Sequence, residues 1–411
     1  MRPQRGAGSL LVVIMMYIAM AIVVVFVNRN LIFEQKTSAN QYRSTLAQEA
    51  AEAGLEWATA MLNRTGNISS TCTASAATGT TTFKLKYLTA DATTGTLTPK
   101  TATGGVHAAC VASQQNTGWT CSCPTPGTAP SLTNPSTTGG FLPSFAVAFV
   151  SNSTTGMVDL VSYGCTSSIT SSSCAGDAAA AVRVTLTQIP GLVTPPPAPL
   201  TARGSVSVGN AALGVINGDP NTNGVTINAG MSIDAPNARI TTVPGTPPTT
   251  TLVGNDASLR NTSEDEMFQS FFGVPKSVYK TLSTVVTLTC PCTETDVQSA
   301  YNGGARQLWL NGNLDMNSNV TIGSSTDPFV MVVDGAITMR GTIRLFGVIY
   351  STAVTWDDTG GGSALLQGAA ISEGNFTGNG TPDYYYDPNV ISSIHHTTGT
   401  FVRVPGSWRD F

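Results

Sequence analysis

The stretch LLVVIMMYIAMAIVVVFV, residues 10–27, decides how the rest of the chain is read, because it carries no charge from end to end. A run of this length, once helical, matches the hydrocarbon core of a bilayer. Before it stand a short basic segment with Arg2 and Arg5 and the small, polar Gly6-Ala7-Gly8-Ser9. After it, residues 28–64 are polar to amphipathic, rich in Ala, Gln and Glu, and no proline occurs between Pro3 and Pro99. One uninterrupted helix is therefore expected over residues 7–64, with a transmembrane part at 10–27. At ~1.5 Å per residue it would be roughly 85 Å long, about half of it inside the membrane.

Composition narrows the rest. Only 11% of the residues are charged and the net charge is -4, so no basic patch of useful density is present and nucleic-acid binding is disfavoured. Beyond residue 64 the chain is rich in Thr, Ser, Asn, Gly and Pro, interrupted by regular Val, Ile and Leu runs. That mixture suits β structure with many turns in an exported protein rather than disorder. All eight cysteines, Cys72, Cys110, Cys121, Cys123, Cys165, Cys174, Cys290 and Cys292, follow the apolar run. An even number on one side of a membrane reads as disulfides in an oxidising compartment. Arg2 and Arg5 would stay cytoplasmic, leaving the remainder outside.

The apolar run has three readings. A secretory signal would have a shorter core and a small-residue cleavage site after it, and Val27-Asn28-Arg29-Asn30 offers none. A plain signal anchor is the second. The third is a leader cleaved before the apolar segment, so that the segment stays in the product. Gln4-Arg5-Gly6 followed by Ala7-Gly8-Ser9-Leu10-Leu11-Val12-Val13 resembles the start of PilX-type minor pilins. Gln48-Glu49-Ala50-Ala51-Glu52-Ala53-Gly54-Leu55-Glu56 resembles that family's second signature.

The resemblance implies cleavage between Gly6 and Ala7 by a prepilin peptidase, methylation of the new amine, and residence in the inner membrane on an assembly platform. It also implies packing against other minor and major pilins. Leu10, Leu11, Val12, Tyr17, Phe26 and Val27 would then lie in the filament core. One departure stands out. Most of the family carries a glutamate at the fifth position after cleavage, whereas the position counted from Ala7 is Leu11. A buried carboxylate is tolerated only when paired, so its absence points to a subunit with no neighbouring amine to neutralise, as at a filament tip. In the distal half of the helix, Leu31, Tyr42, Leu46, Ala50, Ala53, Trp57 and Met61 recur at helical steps. Ala47, Ala51, Gly54 and Ala58 form a small-residue strip where a sheet could pack closely. The heptad is too irregular for a coiled coil.

Residues 65–189 read as a pilin-like antiparallel β domain, so that the long helix and this sheet make an α+β unit. Residues 83–87 (FKLKY) alternate like a half-buried strand, and runs at 145–150, 157–163 and 181–186 follow, separated by turns at 152–156 and 171–176. Cys165 and Cys174 flank the last turn and are expected to bridge. Cys72, Cys110, Cys121 and Cys123 lie in what reads as an irregular stretch. They are expected to form two bridges there, of open connectivity. The two Cys-x-Cys pairs could in principle hold zinc, but their spacing and compartment argue against it. Cys290-Pro291-Cys292 could close on itself or hold a neighbouring strand.

Residues 190–200 form a proline-rich, semi-rigid linker. Residues 201–411 then show short apolar runs cut by Gly and Asn without a strict period, and several runs, such as FVMVV and GVIYS, are apolar on both faces. This reads as a parallel β-helix-like domain, with a second sandwich as the alternative. The runs LWLNGNLDMNSNVTIGS, FVMVVDGAITMRGTIRLFGVIYS and LLQGAAISEGNFTGNG, with the ending VPGSWRDF, resemble the C-terminal domain of some PilX-type pilus assembly proteins. A helical insertion is expected at about 256–304. Ser263 and Glu266 form a capping box ahead of Met267, Phe268, Phe271 and Phe272. The helix would pack on the end or side of the β-helix, or offer a patch to a partner.

No catalytic or cofactor signature is legible. Asp334 and Asp357-Asp358 sit in turn contexts, and His395-His396 reads as a solvated loop. Asp219, Asn221 and Asn223 match the opening of a calcium loop, but position twelve is Gly230 rather than Glu. An Asn-Gly turn explains the same residues. The expectation is therefore a non-catalytic minor pilin without cofactor that primes assembly at the tip of a type IV pilus. It would present its distal β domain to a surface or to a PilY-type adhesin. A type II secretion pseudopilin is one alternative, and a signal-anchored β-helix adhesin or polysaccharide-modifying enzyme is another.

Overall fold

The computed structural model describes residues 7–113, 118–132, 142–167, 169, 171–174, 178–358 and 364–410. Helix α1, Ala7–Leu62, is continuous. Its first two thirds project alone: the side chains at 10–27 and Tyr42 are mostly more than half exposed. From Ala47 onward it is seated, with Ala47, Ala50, Ala51, Leu55, Ala58, Met61 and Leu62 buried.

The seat is a seven-stranded antiparallel sheet. Its strands are β1 (Ala108–Ala112), β2 (Trp119–Ser122), β3 (Ser144–Ser151), β4 (Met157–Cys165), β5 (Ala179–Pro190), β6 (Gly399–Arg403) and β7 (Arg409–Asp410). The order is β6-β5-β4-β3-β1-β2, with β7 also on β5. Alternate residues Val182, Val184 and Leu186 face α1, with Phe145, Val147 and Phe149 beside them. Small side chains let the two layers approach. A Cβ on Gly54 would land on the Ser162 hydroxyl, and one on Gly164 would meet the Ala47 carbonyl and the Ala51 amide of the helix.

Two elements differ from expectation. FKLKY is a short helix, α2 (Phe83–Tyr87), not a strand. The Thr82 hydroxyl caps it by accepting from the Leu85 amide, and Phe83 and Tyr87 share one face and are buried while Leu85 is exposed. Phe at i and Tyr at i+4 satisfy both periods, and the cap decides. Secondly, β6 and β7 come from the C-terminus. Gly399 pairs with Pro190 and Arg403 with Leu186, so the last residues complete the first domain and the β-helix is an insertion within its sheet. The expected single unit 201–411 is corrected accordingly. An otherwise bare β5 edge gains a partner.

The inserted domain is a three-sided stack of parallel strands. The chain enters the stack in its middle. Leu200–Ala202, Val206–Ser207 and Gly214–Asn217 make one coil. Ile227–Ala229, Ile233–Asp234 and Arg239–Thr242 lie on it, and Leu252–Val253 starts a third coil. The chain then leaves along the outside through α3 (Glu264–Phe272) and α4 (Lys276–Tyr279). It re-enters at the opposite end with Val286–Thr289 and Cys292–Thr293, so the segment 256–304 contains strands of the stack as well as helices. Helix α5 (Glu294–Asn302) follows. Coils from Gln307 onward then run back until Leu365–Ser372 lies beside Leu200–Ala202.

Register makes the core explicit. Leu252, Ile227, Leu200, Ala370, Ile349, Met331, Leu308 and Val286 form one continuous inward ladder. Each fully buried aliphatic side chain contributes roughly 1.5–3 kcal/mol. The steps 308 to 331, 331 to 349 and 349 to 370 are unequal, which is why no strict period shows. Outward on the same side, Trp309, Val332, Tyr350 and Ile371 are buried by α3, α4 and α6 (Pro388–Thr397). Phe268 meets Tyr350 edge-on at 5.1 Å and stacks on Phe272 at 4.3 Å. Helix α3 therefore covers a side of the stack. Ser263 and Glu266 cap it reciprocally: the Ser263 amide donates to the Glu266 carboxylate at 3.0 Å and the Glu266 amide to the Ser263 hydroxyl at 3.3 Å.

Candidate assembly interface

The projecting part of α1 is long and apolar enough to cross a membrane. Leu10, Leu11, Val12, Tyr17, Phe26 and Val27 lie at 51–76% exposure, pointing to all sides of the helix. Such a surface is stable only in lipid or against other apolar helices. From Ala7 to Phe33 the sequence has no acidic residue, the first being Glu34. Ala7 opens the helix. Gly6, the other residue of the expected cleavage site, lies outside the described residues.

The seated end of α1 holds three parts of the molecule together. The Asn63 side chain donates to the Phe401 carbonyl at 2.9 Å and accepts from the Phe401 amide at 2.7 Å, as a neighbouring strand would. Glu56 and Arg403 pair at 2.8 Å on the surface. Beside them a cavity of about 80 Å³ separates the α1 exit from the β-helix and is lined by Lys84, Arg64, Gln307 and Asp327 among others. The Lys84 ammonium is enclosed there. It donates to the Gln188 side chain and to the Thr397 carbonyl at the C-terminal end of α6, and burial lowers its pKa to about 8. Across the cavity, Arg306 grips Asp327 with two bonds of 2.7 and 2.6 Å and lies 3.9 Å over the Tyr301 ring. Burial, above all, lifts the Tyr301 hydroxyl to about 12. The Asn67 amide donates to the Gly303 carbonyl at 3.0 Å, joining the two domains again.

Within the sheet, Asp159 is buried. Burial alone would raise its pKa, but hydrogen bonds from Thr185, Arg183 and Asn152 outweigh it and hold the carboxyl lowered. The cysteines are paired Cys72–Cys123, Cys110–Cys121, Cys165–Cys174 and Cys290–Cys292, which engages every thiol. Cys110 and Cys121 are not in irregular chain: they are register partners on β1 and β2. Cys290-Pro291-Cys292 closes on itself at a corner of the terminal coil.

The remaining candidates fall apart as a chemical site. Asp219 caps a short 3₁₀ turn by accepting from the Asn221 amide, and Asn223 ends it in the left-handed region. Asp334 is exposed at a coil corner, while Asp358 is buried at the end of its strand. Arg340, the register partner of Asp357, is six residues beyond Asp334 (340 − 334), so the structure does not bring these aspartates together. His395 and His396 are in the last turn of α6 rather than in a loop, with His395 Nδ1 2.9 Å from the Leu192 carbonyl. Asp387-Pro388 was the available signal: Asp387 caps α6 and proline opens it.

Residues 5–56 match the PilX N-terminal family. Over these residues the chain is similar to the N-terminal segment of PilX-type pilins. The match spans the projecting helix and most of its seated end. No curated protein matches the chain. Among solved structures, the competence-associated pilin ComZ from Thermus thermophilus aligns over 90% of this chain and 97% of its own, at 12% identity and a TM-score of 0.25. The match at residues 5–56 supports reading the chain as a pilin related to type IV pili. Its apolar N-terminal helix suits membrane anchoring, and it is α+β with a long helix and a mostly β body.

Proposed function

We propose that this PilX-type chain is a non-catalytic minor pilin that sits at the tip of a type IV pilus and helps prime its assembly. It starts as a single-pass inner-membrane protein with a cytoplasmic N-terminus. A prepilin peptidase cuts after Gly6 and the new amine of Ala7 is methylated. The helix then leaves the bilayer on the assembly platform and packs among major and minor pilin helices.

The observation that carries this reading is the projecting helix, apolar on all sides and free of acid through Phe33. Over residues 10–27 the helix carries no charge, so this part enters a bundle of apolar helices without burying an ion. It also has no carboxylate to pair with the amine of a subunit beyond it. A large β-helix inserted in the sheet supports the terminal position, because it would crowd a repeating shaft. In this role the β-helix is displayed outward, to a surface or a PilY-type adhesin, without cofactor or metal.

Mass spectrometry of the mature protein tests processing: a methylated chain starting at Ala7 is expected, and an intact Met1 would favour a plain anchor. Gold labelling of the β-helix on sheared filaments tests position. Label at one end supports the tip, and label along the length rejects it.

A further inference from the structure

The last strand of the chain is placed where it controls the first domain. β6 and β7 close the open edge of β5. Phe401, 1% exposed, completes the core between α1 and the sheet. Asn63, at the end of α1, binds the Phe401 amide and carbonyl together, and the Thr400 hydroxyl lies 2.9 Å from that of Thr284 at the β-helix. Helix, sheet and β-helix therefore meet on this one segment.

Its delivery depends on the inserted domain. Pro190 and Gly399 are register partners, although the whole β-helix lies between them in sequence. They come together because the chain enters the stack mid-way and leaves it mid-way. The Leu200–Ala202 strand pairs with 370–372, and the Gly214–Asn217 strand pairs with 383–385. Only a stack closed at that seam sets the start of α6, and hence Gly399, beside the end of β5.

We infer that the β6–β7 segment is a clasp through which the pilin domain reads completion of the β-helix. Until the seam has closed, the β5 edge is bare, Asn63 lacks its backbone partner and the seated end of α1 lacks Phe401. If the chain acts as a pilin, the reading on which only this consequence rests, an unfinished head yields a helix not held in its assembly geometry.

Hydrogen exchange on the full chain in detergent micelles, compared with a chain ending at Thr398, tests the clasp. Truncation is expected to raise exchange at least tenfold over 179–190 and 55–63 and to leave the coils at 307–385 protected. A peptide of residues 399–411 should restore protection saturably, and the same peptide carrying Phe401→Asp should not. Unchanged protection of β5 in the truncated chain would overturn the clasp. Loss of protection throughout the β-helix would overturn it too, by showing one cooperative unit. In the full chain, Leu200→Asp breaks the seam while keeping β6, and β5 should again lose protection. Retained protection there would refute dependence on the seam. The readout is local exchange, so the clasp stands or falls whether or not the protein is found in pili.

Discussion

Two glycines set the separation between helix and sheet. A methyl on Gly164 would meet the backbone of α1 at Ala47 and Ala51, atoms that move only with the helix. A methyl on Gly54 would meet the Ser162 hydroxyl, which can rotate, and the Phe145 ring at 2.9 Å. Gly164→Ala should therefore cost about 3 kcal/mol and Gly54→Ala about 1–2 kcal/mol. Urea unfolding of both variants checks the order, and equal small losses would mean the seat is more yielding than its geometry. Lys84 supplies a different test. Its folded pKa of about 8 lies below the ordinary 10.5. Between these values the unfolded chain binds the proton and the folded chain does not, so this residue makes stability rise with pH across the window. Below it, the charged form bears the burial penalty in full. Lys84→Met should abolish the rise. The stability difference, wild type minus variant, should grow in favour of wild type from pH 7 to pH 10, and a flat difference would mean the ammonium is well solvated.

Among the elements, the edge strand β2 depends most on covalent support. Cys121 bonds back to β1 and Cys123, just beyond the strand, bonds to Cys72. The loop closed by Cys72–Cys123 spans 51 residues, worth about 4 kcal/mol in the chain-entropy picture. Cys110–Cys121 spans 11, or about 3 kcal/mol. Paired serine replacements should lower stability in that order, with Cys290/Cys292 least, and thermal unfolding under oxidising conditions reads the ranking. How much of these elements could be read in advance follows from how local their causes are. Helix α1 and the capped α3 were legible because propensity, period and caps agree within one stretch. FKLKY was misread because Phe83 and Tyr87 fit both periods. The short coils were legible as a rhythm, but their order was not, since the seam Leu200 to Ala370 is a pairing between distant segments. The same distance hid β6, whose partner β5 lies on the far side of the entire insertion. The junction around Asn63 and Lys84 had no sequence signature, because its residues meet only after both domains have formed.

At the scale of the molecule, insertion gives the β-helix two covalent connections to the sheet instead of one. Because Pro190 and Gly399 are register partners, tension on the β-helix draws β5 and β6 from the same end and in the same direction. The pair is not unzipped. The load passes into β4 in shear along the register from Met157–Thr187 to Cys165–Ala179. A cut in the linker between Thr194 and Pro195 would leave only β6 and β7 to carry it, through the shorter register of Gly399–Pro190 to Arg403–Leu186 and of Arg409–Arg183 and Asp410–Val182. In single-molecule pulling between the N-terminus and a handle at Asn237 on a distal coil, the intact chain should hold its head to a higher force. The nicked chain should release it at roughly half that force, since fewer hydrogen bonds are loaded together. Equal rupture forces would show that the contacts of Lys84 with Thr397 and of Asn67 with Asn302 and Gly303, rather than the doubled connection, hold the head to the sheet.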